Sequence, residues 1–221
     1  LMQKHGVPLL IHAETNDKNI DIFDRERVFI DRHLAQIHNE FPDLRIVFEH
    51  ISSKEAVDFV INANSKVGAT ITPQHMLLDR NDLLSNGIKP HHYCLPIVKR
   101  AEDRLAIIQA AVSGSQKFFL GTDSAPHFRY QKESSCGCAG IYSAAYAMEL
   151  YVLIFETENA LDKLENFSSK FGADFYKLPY NKSKIKLIKK ELEIPTKIDI
   201  GNEEIIPLFA GETLSWQLSE I

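Results

Sequence analysis

Cysteine is scarce in this chain, with only Cys94, Cys136 and Cys138 in 221 residues. So few cysteines fit a reducing compartment better than a disulfide framework. Cys136 and Cys138 are separated by a single residue, too close for a zinc knuckle, and are expected in loop or packing roles. Positive charge is not in excess: 25 Lys and Arg stand against 30 Asp and Glu, a net charge of -5. A nucleic acid or an acidic membrane surface favours a basic face, so neither partner is expected. No apolar run approaches the roughly 20 residues that cross a bilayer. The opening LMQKHGVPLL lacks the basic leader and long apolar stretch of a secretory signal. Internal repeats and low-complexity tracts are missing too. These absences leave a globular protein, expected in the cytoplasm.

What is present is an alternation. Four short apolar runs, Val7 to Ala13, Leu44 to His50, Val67 to Thr72 and Phe118 to Asp123, each have strand length and are apolar on both faces for most of their course. That is the pattern of strands in a parallel sheet covered by helices. Helices are expected between them. Asp24 to Phe41 carries Val28, Ile30, Leu34 and Ile37 at helical spacing and is ended by Pro42. A second helix opens on a Ser53 cap and runs to about Asn64, and a third spans Ala101 to Ser113. The spacing approximates the roughly 31 residues per unit of an eight-fold β/α barrel. Further helices are expected at Tyr142 to Glu156 and Leu161 to Phe171, followed by an extended apolar tail, Ile194 to Trp216, on the outside.

Four units make half a barrel with two open sheet edges. Leu1 to Gly6 reads as a last helical turn closed by glycine. N-terminal sequence is therefore expected to be missing, about 120 residues or four βα units.

His12, His50 and Asp123 each fall at or beside the C-terminal end of an apolar run. In β/α barrels the catalytic loops converge at that end. Two imidazoles and a carboxylate suit a zinc-like divalent ion. Each residue alone reads better as a satisfied polar group or a helix cap than as a ligand, and only the three together suggest a metal site. His5, His33 and His38 fall on helical segments read as solvent-facing. His75, His91 and His92 occupy a long loop, Pro73 to Arg100, whose length suggests function. His127, four residues past Asp123, is placed to meet an anionic substrate group.

Several of these segments, in their surroundings, resemble the bacterial-type homodimeric dihydroorotases of the amidohydrolase superfamily. They are Pro8 to Glu14, Val47 to Ile51, Ala69 to His75, Tyr93 to Ile97, Phe119 to His127, Lys132 to Gly140 and Leu208 to Thr213. The order and spacing match over nearly the whole chain. The resemblance covers only the C-terminal portion of that family, from about strand 5 to strand 8 plus the C-terminal helices and tail. Residues 1–221 would thus be the C-terminal part of one (β/α)8 TIM-barrel domain.

The resemblance implies zinc-dependent, reversible cyclisation of N-carbamoyl-L-aspartate to L-dihydroorotate in pyrimidine biosynthesis. It implies two zinc ions per full-length subunit, bridged by a carboxylated lysine in the missing part. His12 and His50 would ligate one zinc and Asp123 the other. Asp123 would also act as general base, passing a proton from the attacking hydroxide to the departing nitrogen. Leu95, His127, Ala139 and Gly140 match substrate-contacting positions. The small-molecule substrate and a second identical subunit are the implied partners. The first-strand His-x-His pair and the bridging lysine have no counterpart here, so this chain alone is expected to be inactive and poorly folded. The alternatives are another cyclic-amide hydrolase, hydantoinase- or allantoinase-like, and a non-catalytic dihydroorotase-like scaffold.

Overall fold

The structure, a computed structural model, describes residues 1–219. Four strands, β1 (Leu9–Ile11), β2 (Ile46–Phe48), β3 (Val67–Ile71) and β4 (Phe118–Leu120), form one parallel sheet in sequence order. Ile11 pairs with Phe48 and Phe48 with Ala69 in register. The central strands β2 and β3 are buried along their whole length, which explains why they are apolar except for Thr70. Successive parallel strands joined through helices form an arc of the (β/α)8 barrel type, as the alternation predicts.

Ile46, Phe48, Val67, Ala69 and Ile71 pack in one apolar cluster with Ala56, Val57 and Val60 from the helix Lys54–Asn62. Ile107, Ile108 and Ala111 of the helix Ala101–Val112 join the same cluster. Ser53 caps the first of these helices by accepting the Ala56 N–H, as its sequence position predicts. On the opposite face Leu10, Val47 and Gly68 lie in register. Val47 and Phe119 pack there with Phe171, Phe175 and Tyr176, whereas Leu10 stays 51% exposed on the edge strand.

The helix expected from Asp24 to Phe41 occupies residues 25–40 and contains a π turn, Ile30–Leu34. Met2–His5 is a helical turn closed by Gly6 at φ 65, a conformation that favours glycine. The segment from Pro73 to Arg100 holds the short helices Pro73–Leu77 and Arg80–Leu84 and a 3-10 turn, Pro90–His92. A helix at Ala147–Thr157 and a further helical stretch at residues 161–176 follow.

The tail is more ordered than an extended run. β5 (Lys186–Glu193) pairs antiparallel with β8 (Thr213–Ser219), and between them β6 (Ile198–Ile200) pairs with β7 (Glu203–Ile205). Trp216 fixes this layer to the helix Ala147–Thr157 by donating its indole N–H to Glu156 at 2.9 Å. β5 precedes the expected start of the tail because Lys-Leu-Ile-Lys-Lys-Glu-Leu-Glu carries too much charge to read as a strand. Among the described residues no helix is long and apolar enough to cross a membrane.

Candidate functional site

His12 directly follows β1, His50 lies two residues past β2, and Asp123 lies three past β4. Because the strands are parallel and adjacent, these positions meet at one end of the sheet. All three line a single open cavity with Leu10, Glu49, Thr70 and Gly121. Two of the three stand on strained backbone: His50 has φ 40 and Asp123 φ 42, a region costly for any residue with a Cβ. The strain at His50 is held by a short hydrogen bond, its N–H donating to Thr70 Oγ1 at 2.6 Å. The Thr70 hydroxyl in turn donates to Glu49 at 2.5 Å.

His12 Nδ1 and His50 Nε2 face each other at 3.2 Å, with the rings edge to face. Two nitrogens bound tetrahedrally to one zinc at about 2.0–2.1 Å would lie roughly 3.3 Å apart, so the pair has the spacing of one edge of such a site. Burial, and then the neighbouring His12, push His50 down to about 4, so its ring is neutral near pH 7 and keeps a lone pair. Burial raises Asp123 above the usual carboxylate range, which strengthens it as a proton acceptor; His12 partly opposes the shift. Burial also raises Glu49, and the charge of Asp123 adds to that shift. The donor set is partial, since among the described residues no group of three or more His, Cys, Asp or Glu is placed to hold a metal.

The residues matched to substrate contact form a second cluster. His127 donates from Nε2 to the Ala139 carbonyl at 3.0 Å, and the Gly140 N–H donates to the Tyr93 carbonyl at 2.9 Å. Leu95 lies two residues beyond Tyr93, partly buried against the Leu78 and Ile97 cluster. Lys132 ties these loops together, its buried ammonium donating to the carbonyls of Tyr93, Cys138 and Gly140 at 2.7–2.8 Å. His127 and Gly140 line a small pocket separate from the one around His12.

The remaining loop histidines are occupied elsewhere. His75 is fully buried between the Thr72 hydroxyl and the Pro96 carbonyl. His91 faces Glu133, and His92 reaches the Asp82 carbonyl. Gln74, beside His75, donates to the carbonyl of Thr122 at 3.0 Å and so steadies the loop that carries Asp123.

Sequence reasoning missed a buried polar chain behind the histidines. Glu26, on the helix Arg25–Phe29, accepts from the Ser52 N–H and from the hydroxyls of Ser52 and Ser53. Lys99 donates to Ser52 Oγ at 2.5 Å, and its ammonium lies 4.0 Å from Glu14. Glu14 in turn sits 3.5 Å from His12 Nε2. The available signal was the Glu14 spacing, two residues past a strand-end histidine, across a tight turn in which the Glu14 N–H donates to the His12 carbonyl at 3.1 Å.

Comparison with known proteins places this arrangement in a context. The chain is 60% identical over 217 residues to a dihydroorotase of Coxiella burnetii, covering 98% of this chain and 62% of that protein. Among solved structures it resembles a dihydroorotase of Saccharomyces cerevisiae in complex with 5-fluoroorotic acid. The TM-score is 0.88 at 37% identity, over 99% of this chain and 64% of that one. A D-hydantoinase from a Thermus species shares the fold alone, with a TM-score of 0.66 at 14% identity, over 99% of this chain and 50% of that one. No protein-family model matches. The chain thus spans less than two thirds of the length of the dihydroorotases it matches.

Proposed function

We propose, from the premise that this chain belongs to the dihydroorotase family as a portion of such a protein, that it supplies part of a zinc-dependent dihydroorotase site. The reaction would be the reversible cyclisation of N-carbamoyl-L-aspartate to L-dihydroorotate. The observation that carries the reading is the meeting of His12 Nδ1 and His50 Nε2 at 3.2 Å in the cavity that Asp123 also lines.

His12 and His50 would hold one metal ion through those nitrogens, and Asp123 would contribute to a second. Such ions supply Lewis acidity, polarising a carbonyl and lowering the pKa of water to about 7. The chain's own residues do the rest. The cavity admits the ring amide, and Asp123 takes the proton released as water oxygen bonds to the amide carbon. Asp123 then returns that proton to the ring nitrogen as the C–N bond breaks; cyclisation runs the same steps backward. His127, its ring fixed by the Ala139 carbonyl, suits the substrate carboxylate. Leu95, Ala139 and Gly140 would lie alongside, with the Gly140 backbone held by Tyr93 and Lys132 and the Ala139 carbonyl by His127. A homodimer and a cytoplasmic setting complete this reading.

The test uses the full-length gene product, assayed for hydrolysis of L-dihydroorotate and for zinc content. Turnover with about two zinc ions per chain is expected. His12→Ala and Asp123→Asn should each lower kcat by roughly 10²-fold or more, the scale of losing a positioned acid–base group. Turnover of a hydantoin but not of dihydroorotate would replace this reading with the hydantoinase one, and a chain without zinc or turnover would make it a scaffold.

A further inference from the structure

The chain holds a buried carboxylate whose place no part of the reaction explains. Glu14 follows His12 by two residues, and its side chain is 5% exposed. One of its oxygens, Oε2, lies 3.5 Å from His12 Nε2, the ring nitrogen pointing away from His50. The other, Oε1, is buried without a hydrogen-bond partner, and the Lys99 ammonium stands 4.0 Å from it. Lys99 is itself 3% exposed in its side chain and is anchored by Ser52, which Glu26 holds in place. A buried anion with an unsatisfied oxygen is costly unless something fixes it there.

We propose that Glu14 is a positioning residue for the metal site, taking the Nε2–H of His12 so that Nδ1 is left bare and aimed at the centre shared with His50. Neutral imidazole carries one proton on one nitrogen, and the group facing that proton decides the tautomer. With Glu14 on Nε2, the lone pair lies on Nδ1, which faces His50 at 3.2 Å. Lys99 holds the carboxylate from behind, and the buried Ser52 and Glu26 hold Lys99. A carboxylate behind a ligating histidine also raises the basicity of the ring, and losing such a partner typically weakens metal binding by about 10–100-fold. The inference rests on the metal-site reading above and deepens it.

The experiment compares the full-length protein with its Glu14→Gln and Glu14→Asp variants. Zinc affinity is measured by competition with a chromophoric chelator, and the His12 ring nitrogen shifts are measured by NMR on metal-free protein. Wild type is expected to show Nε2 protonated and Nδ1 bare. Glu14→Gln should bind zinc at least about tenfold more weakly, with Glu14→Asp in between. Unchanged zinc affinity in Glu14→Gln, with dihydroorotate turnover intact in wild type, would overturn this inference and leave the proposed function standing. Zinc uptake without dihydroorotate turnover in wild type would remove that function, while the affinity comparison would still decide the role of Glu14. If Glu14→Gln fails to fold, the wild-type tautomer decides: a proton on Nδ1 overturns the proposal.

Discussion

Gly121 and Thr70 approach so closely that a Cβ on Gly121 would lie 2.6 Å from the Thr70 Cβ. No real Cβ tolerates that distance, and Thr70 cannot move freely because its hydroxyl accepts the His50 N–H. Gly121→Ala is therefore expected to displace Thr70 and with it the backbone that aims His50. Overpacking of this kind costs about 1–3 kcal/mol. Urea denaturation of the metal-free protein should show that loss, and zinc affinity should fall with it; a variant equal to wild type in both would show that Thr70 is free to shift.

Glu26 is expected to be more sensitive than an acidic residue on a helix usually is. Its replacement by Ala would leave the Ser52 N–H and two serine hydroxyls without their acceptor, and would loosen Ser52, on which the buried Lys99 ammonium rests. Breaking a buried charged network by removing one member costs about 3–5 kcal/mol. The urea midpoint of Glu26→Ala measures it, and a loss below about 1 kcal/mol would mean that water enters and solvates Lys99.

Acid should destabilise the fold through His75. Burial pushes this imidazole from 6.5 down to about 3, so the unfolded chain takes up a proton at a pH where the folded chain does not. The contribution of the neutral ring is fully present above pH 6.5 and is lost as the pH falls toward 3, at up to about 1.4 kcal/mol per pH unit. Stability curves of wild type and His75→Gln between pH 7.5 and 5 check this. The variant should have the shallower slope, and parallel curves would remove His75 as the cause.

Lys132 is expected to govern substrate affinity through the loops it joins. Lys132→Met leaves the carbonyls of Cys138 and Gly140 without a donor and that of Tyr93 with the Gly140 N–H alone. Under the proposed function, KM for dihydroorotate should rise by about tenfold, a coupling on the order of 1.4 kcal/mol, with a smaller change in kcat. Burial pushes the Lys132 ammonium down to about 8, so the charged clamp is intact below that pH and weakens as pH rises through it. KM of the wild type should therefore climb above pH 8, while that of Lys132→Met stays flat over the same range.

The strand–helix alternation was legible because β2 and β3 are buried along their whole length and so are apolar but for Thr70, whose hydroxyl is hydrogen-bonded to the His50 N–H and to Glu49. The strand ends gave His12, His50 and Asp123 by the same logic, since the chain must turn polar where the sheet stops. Glu26 and Lys99 were illegible for the opposite reason. A charge on an amphipathic helix or in a loop reads as solvated, and only tertiary packing shows that these two are buried. The constraint on Gly121 was likewise hidden, because its close neighbour Thr70 lies on another strand. The π turn at Ile30–Leu34 leaves the apolar spacing of its helix almost unchanged, so nothing in the sequence marks it.

The left-handed backbone at His50 and Asp123 sets these two positions against the stability of the chain that carries them. Glycine or asparagine would sit there with less strain, so, under the proposed function, giving up the chemistry at either point is a route to a tougher molecule. A lineage released from the need to catalyse would drift toward those residues at 50 and 123 first. Persistent histidine and aspartate there, across descendants, would be a footprint of continued use.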